Sequence, residues 1–280
     1  MTCLTLLGVA CLLAAPDWPE IGRLATRPAK QIAASTWSVG GETLDRDFAT
    51  YAKYRDWLGP LGAKGLRVQA GWAKCEKQRG VYDFAWLDEV VDDARSQGVQ
   101  PWLETSYGNP LYPGGGGTGL GGGLPTSAEA LAAWEAWVRT LVKHFAGRVT
   151  EWEVWNEPDL NKGNNAADYT ALYVRTAQAI RAEQPTARLY AMGLAGNVGF
   201  AKEVLGALAR QGQLGLVDAV TMHTYPTNPD DLKAILALRD YCRELDPRLE
   251  VRQGETGAPS TAATFGALSG RAWTEFSQAK

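Results

Sequence analysis

From about residue 31 the chain alternates between two hydrophobic periods at intervals of roughly thirty residues, and this constrains its fold more than any other feature. Short β-rich runs at 32–39, 65–70, 99–107, 149–157, 189–195, 216–223 and 249–255 read as strands. Between them, residues 45–58, 84–96, 127–145, 167–183, 200–210 and 230–244 carry apolar residues at helical spacing. A last helix is expected from about residue 267 to the end at Lys280. Local signals agree: Ser127 is placed to cap one helix, and Gly98 to end another. Strands that alternate with helices pair in parallel through right-handed crossovers. The fold class is therefore α/β, a (β/α)8 TIM barrel that stops after about seven β/α units. A closed barrel of this type has eight strands, so a C-terminal unit is expected to be missing.

No linker divides 16–280, which read as a single domain. Residues 3–15 form an apolar run too short to span a membrane. The run has the character of a signal peptide over 1–15, although no basic residue precedes it and Pro16 follows it. A secreted or periplasmic protein is the expectation, with a cytoplasmic one as the alternative. The net charge of −3 argues against nucleic acid as a partner. With two histidines and four scattered cysteines, no metal site or disulfide framework is legible. No dinucleotide fingerprint or phosphate loop occurs, so no cofactor is expected. The glycine run 114–123 lacks the Lys-Ser/Thr ending of a phosphate loop. It reads as a flexible connection after the third strand or as a mobile wall of a cleft on the strand C-terminal side.

Two glutamates end strands. Glu157 closes Glu151-Trp152-Glu153-Val154-Trp155-Asn156-Glu157-Pro158, and Glu255 lies three units later in Gly254-Glu255-Thr256-Gly257. Alternation along the first of these strands would put Glu153, Trp155 and Glu157 on one face. Two carboxylates facing across a sugar can cleave a glycosidic bond. A separation of about 5–5.5 Å retains configuration, and one of about 6.5–9.5 Å inverts it.

Trp155-Asn156-Glu157-Pro158 on strand four and Gly254-Glu255-Thr256-Gly257 on strand seven resemble the retaining glycoside hydrolases of clan A. The text from Glu153 to Leu160 looks most like glycoside hydrolase family 39, which includes β-xylosidases and α-L-iduronidases. The resemblance implies a carbohydrate substrate of plant or algal origin, cleaved by double displacement. It makes Glu157 the acid/base, Glu255 the nucleophile and Asn156 a hydrogen-bond partner of the sugar 2-hydroxyl. His223 and Tyr225 resemble the strand-six pair, of which the Tyr commonly contacts the nucleophile; core packing is the alternative. Arg67 resembles the strand-two Arg beneath the nucleophile, and a structural pair with Glu153 competes with that role. Tyr107 and Asn109 after strand three, Trp72 and Glu76 after strand two, and Trp37 at the end of strand one are further candidates for sugar contacts. Glu104 reads as a carboxylate without a catalytic role, and His144 as a surface residue. Clan members usually add a Trp after strand eight; Trp273 does not obviously replace it. An endo-acting glycanase of the same clan and a non-catalytic carbohydrate-binding relic are the competing readings.

Overall fold

The computed structural model describes residues 26–258 and residue 268. The leader-like run, Trp273 and all but residue 268 of the expected last helix lie outside the described residues. The elements are β1 (Ser38–Gly40), α1 (Arg55–Leu58), β2 (Gly65–Gln69), α2 (Trp72–Cys75), α3 (Ala85–Ser96), β3 (Gln100–Thr105), α4 (Ala128–His144), β4 (Glu151–Val154), α5 (Ala166–Glu183), β5 (Arg188–Leu194), α6 (Val198–Arg210), β6 (Ala219–His223), α7 (Lys233–Leu245) and β7 (Glu250–Glu255). The seven strands are parallel and lie in the order of the sequence.

The sheet curls into a nearly closed barrel, and one contact proves the curl. Arg67 on β2 reaches Glu255 on β7 at 2.7 Å. In a flat sheet those strands would stand roughly 24 Å apart, at about 4.8 Å per step. The barrel interior is layered. Trp102 and Tyr190 meet edge to face near the bottom, where Arg252 Nη1 donates to the Tyr190 hydroxyl at 2.7 Å. Arg67, Glu104, Glu153 and Thr221 fill the layer above. Outward-facing Leu66, Val68, Leu103, Trp152 and Val154 pack into the core beneath the helices.

Helix boundaries follow their caps. The Ser127 hydroxyl accepts from the Ala130 amide at 3.0 Å and starts α4. Gly98 after α3 has φ +83°, the left-handed conformation that ends a helix. Two expectations fail. The first strand is three residues long and starts at Ser38, not near residue 32. The expected helix over 45–58 is broken into 3-10 turns at Leu44–Arg46 and Tyr51–Lys53 followed by the single turn of α1. Thr43 and Asp47 both take positive φ, which an α-helix does not allow. This broken segment climbs over the top of the barrel and supplies one wall of it.

Candidate active site

Glu157 is not the last residue of its strand. The regular strand β4 ends at Val154; the Trp155 amide still donates to the Thr105 carbonyl at 3.0 Å, but Trp155 turns to φ +67°. Glu157 follows at φ +49°, its amide donating to the Gly193 carbonyl at 2.8 Å. The expected alternation stops here. Trp155 swings out against Tyr107 and Trp134, while Asn156 and Glu157 both turn toward the barrel axis. Left-handed backbone at a bulky residue costs about 1–3 kcal/mol, and the aromatic packing around Trp155 holds it in place. Asp159 fixes the next turn by accepting from the amides of Ala195 and Asn197.

Glu157, His223 and Glu255 converge above the barrel. His223 ends β6, and its Nδ1 lies 2.9 Å from Glu157 Oε1 and 3.5 Å from Glu255 Oε1. One ligating oxygen of each glutamate lies within 4.8 Å of the other. A Cβ at position 254 would come 2.9 Å from His223 Nε2, so Gly254 is what lets β7 approach the imidazole.

Glu255 is held by the Tyr225 hydroxyl at 2.7 Å and by Arg67 Nη1 at 2.7 Å. Burial by itself would raise the Glu255 carboxyl, but Arg67, His223 and the Tyr225 hydrogen bond outweigh it and hold the carboxyl below its ordinary range. Burial and the adjacent Glu255 charge push the Tyr225 phenol well up, so it remains a donor.

Arg67 is the centre of the arrangement. Its Nε donates to Glu153 at 2.6 Å, Nη1 to Glu42 at 3.2 Å as well as to Glu255, and Nη2 to Glu104 and to Asn156 Oδ1 at 2.9 Å. Both competing sequence readings of this residue therefore hold at once: it lies beside Glu255 and pairs with Glu153. One guanidinium cannot neutralise four carboxylates. Burial drives the Glu104 carboxyl well above the usual range against the pull of Arg67, and the neighbouring Glu153 charge adds to the rise. Burial also raises Glu42, although Arg67 opposes it. The site thus favours the ionised form of Glu255 while Glu42 and Glu104 are shifted toward the protonated form.

Asn156 is held at both ends, its Oδ1 by Arg67 and its Nδ2 by the Tyr107 hydroxyl at 2.7 Å. Gln69 donates to the same hydroxyl at 3.2 Å. Tyr107 thus enters the site as the residue that orients Asn156.

Four expected sugar contacts are used elsewhere. Trp37 precedes β1 at the N-terminal end of the barrel, where its carbonyl accepts from Lys64 and Gly65. It is 78% exposed, on the wrong end of its strand for the site. Trp72 is fully buried among Tyr112, Trp134 and Trp137, with its indole N–H on Glu76. Asn109 spends its side chain on backbone, donating to the Glu76 carbonyl after α2 and accepting from the Leu111 amide of its own loop. Glu76 is buried with them and accepts from Tyr112 and the Gly80 amide, so it serves the same packing. Glu42 went unrecognised, because a lone carboxylate in a Gly-Gly-Glu loop carries no signal. Glu104, expected to have no catalytic role, pairs with Arg67.

Glu157, His223 and Glu255 have spacings that a metal ion would accept. A ligating imidazole ordinarily donates its second N–H to a partner, and His223 Nε2 is buried with none. The residues present do not make a built metal centre.

The glycine run is folded. Gly108 donates to Gly117, Asn109 to Gly115 and Gly117 to Gly122. Thr118, Gly119 and Leu120 wall a cavity next to Tyr107, so the loop is a cleft wall on the strand C-terminal side, built by its own hydrogen bonds.

Comparison with known proteins bears on the family and the fold. The sequence model described as glycosyl hydrolases family 39 matches residues 66–242. Endo-1,4-beta-xylanase C of Phanerodontia chrysosporium is 31% identical over 125 residues, which cover 42% of this chain and 30% of that protein. A family 39 β-xylosidase structure from Caulobacter crescentus superposes with a TM-score of 0.62 at 24% identity, covering 86% of this chain and 56% of the other. The family 39 enzyme from Xanthomonas axonopodis pv. citri gives 0.63 at 22% identity, covering 80% and 51%. The match spans about half the length of these solved chains and less of the curated xylanase. The solved structures share the fold, and the matched stretch takes in Arg67, Glu104, Glu153, Asn156, Glu157, His223 and Tyr225: the chain belongs to the family 39 glycosyl hydrolases.

Proposed function

We propose that this chain carries the catalytic centre of a retaining glycoside hydrolase that cleaves O-glycosidic bonds in a plant polysaccharide or its oligomers, with xylan-type chains as the first substrates to try. The observation that carries the reading is the approach of Glu157 and Glu255 to within 4.8 Å. With one oxygen of each that close, the pair is nearer to the spacing of about 5–5.5 Å at retaining sites than to the about 6.5–9.5 Å of inverting ones.

In the first step Glu255 attacks the anomeric carbon as Glu157 gives its proton to the leaving oxygen. The glycosidic bond breaks and an ester to Glu255 forms. Esterification removes the charge of Glu255. In the second step Glu157 takes a proton from water, the water oxygen bonds to the anomeric carbon, and the ester breaks to restore the Glu255 carboxylate. Asn156, clamped between Arg67 and Tyr107, is placed to bind the 2-hydroxyl, a contact that strengthens as the ring gains oxocarbenium character. A polymeric substrate also favours the secreted or periplasmic location read from the leader-like segment.

The test is chemical rescue. Glu255→Ala is expected to abolish turnover of aryl glycosides, and azide to restore it with a glycosyl azide of inverted configuration. Absence of that product with a good leaving group would remove Glu255 from the nucleophile role. Glu157→Ala is expected to cost about 10²–10⁴-fold on poor leaving groups and far less on activated ones; equal losses on both would rule out the acid role.

A further inference from the structure

Beside the catalytic pair, on the β1–β3 side, lies a cavity of 630 Å³ that no step above uses. Asp45, Arg46, Asp47 and Phe48 form one wall, Lys74 and Lys77 a second, and Thr118 to Leu120 of the glycine loop a third. Tyr107, whose hydroxyl holds Asn156, lines the end nearest the catalytic residues. The cavity and the catalytic side therefore share Tyr107 as a common wall.

Its chemistry is that of a sugar site with an excess positive charge. Phe48 is 80% exposed at the rim, although a phenyl ring gains nothing from water there. The Arg46 guanidinium lies 5.6 Å from the Phe48 ring and 5.0 Å from the Tyr107 ring. Arg46 also binds Asp45 and Gln69, at 3.2 and 2.8 Å. Those bonds use Nε and Nη2 and leave Nη1 beside Gly119. Lys74 is spent on Asp47 and the Leu44 carbonyl, each at 2.6 Å. Asp45 and Asp47 are thus both matched by a cation. Lys77 is exposed and makes no ion pair among the described residues. The balance of the lining is one uncompensated positive charge next to an exposed aromatic face.

We propose that this cavity is a glycan subsite for an acidic sugar, a uronate carried on or within the polysaccharide, with Lys77 as the counter-ion of its carboxylate and Phe48 as the surface its ring stacks on. The inference rests on the glycosidase reading and deepens it, by making the substrate an acidic rather than a neutral polysaccharide. Arg46 Nη1 supplies a second donor at the Gly119 side. A sugar seated here would extend past Tyr107 toward Asn156 and Glu157, so the bond cleaved lies at a distance from the uronate.

The experiment is calorimetric titration of the full chain with xylo-oligosaccharides of equal length, one neutral, one bearing a glucuronate and one bearing a sulfate ester. The expected result is roughly fivefold tighter binding of the glucuronate form at low salt, within the range of a partly exposed ion pair. High salt and Lys77→Glu should abolish that preference, and Lys77→Arg should keep it. Phe48→Ala should weaken neutral and acidic ligands alike. In every variant, turnover of a small aryl glycoside should match the parent, since none of these side chains touches the reacting atoms. Equal affinity for the neutral and glucuronate forms, or a preference that survives Lys77→Glu, would overturn the proposal. Sulfate binding as tight as glucuronate would overturn the assignment to a carboxylate. Failure of the neutral oligosaccharide to bind, with no turnover of any glycoside, would instead defeat the glycosidase reading beneath it.

Discussion

Arg67 is the residue whose loss should cost most. Its guanidinium is buried and bound to Glu42, Glu104, Glu153 and Glu255. Arg67→Met would leave ionised carboxylates without a counter-charge in a water-poor interior, and breaking such a network costs about 3–5 kcal/mol. Urea denaturation at neutral pH should show that loss. Glu104→Gln should behave differently. Its carboxyl is shifted well toward the protonated form, mainly by burial, and the amide copies that form. Because the folded form favours the proton, Glu104 contributes stability below the ordinary carboxyl value of 4.5 and loses that contribution as pH rises through its raised value. Glu104→Gln should remove this component, making stability less sensitive to rising pH; an unchanged profile would contradict it. Glu255 carries the opposite sign. Its carboxyl lies below 4.5, with burial outweighed by Arg67, His223 and Tyr225. Activity that requires the ionised form persists above the folded value and fails as pH falls through it. Tyr225→Phe removes one of the lowering contributions, so the acid limb of kcat/KM should move to higher pH.

At the scale of elements, the end of β4 and the glycine loop show how local backbone sets the site. The left-handed turn at Trp155 lets consecutive residues, Asn156 and Glu157, serve one pocket, where a regular strand would send them to opposite faces. The glycine loop is tied by its own backbone, and its glycines differ in what they do. Gly116 has φ +79°, and a Cβ there would lie 2.3 Å from the Gly123 carbonyl oxygen. Gly121 has φ +78° with nothing within 4 Å. Gly116→Ala should therefore undo the loop, speeding its proteolysis and raising KM for oligosaccharides. Gly121→Ala should cost only the backbone term of about 1–2 kcal/mol and leave KM nearly unchanged. Equal proteolysis of the two variants would contradict this account of the loop. The glycine run was legible as a loop from composition. Its hydrogen-bonded form was not, because glycines carry no side chain whose pattern reports a partner.

For the molecule as a whole, the seven parallel strands curl far enough for the Arg67 side chain on β2 to meet that of Glu255 on β7 at 2.7 Å. Among the described residues β1 and β7 each pair along one edge only. β1 is three residues long, and β7 alternates between exposed and half-buried positions, whereas β5 is buried along nearly its whole length. Native-state hydrogen exchange should accordingly rank the amides of β5 and β6 slowest and those of β1 and β7 fastest. Protection of β7 equal to that of β5 would mean that its outer edge is covered in solution.

Sequence alone determined the α/β class, the seven strands, the cap at Ser127, and the pairing of a glutamate just past β4, Glu157, with one at the end of β7, Glu255. These follow from periodicity and from residue types whose effect is local. It also marked Arg67, Asn156, His223 and Tyr225, whose neighbours in the chain carry the resemblance. Only the tertiary structure decided that Trp37 and Trp72 do not face the Glu157–Glu255 pair. A tryptophan reads alike whether it covers a helix, fills a core or meets a ligand, and only packing distinguishes these. Glu42 and Glu104 join the site for the same reason. A carboxylate has no pattern of its own, and the guanidinium that gathers four of them does so across strands that meet only when the sheet curls.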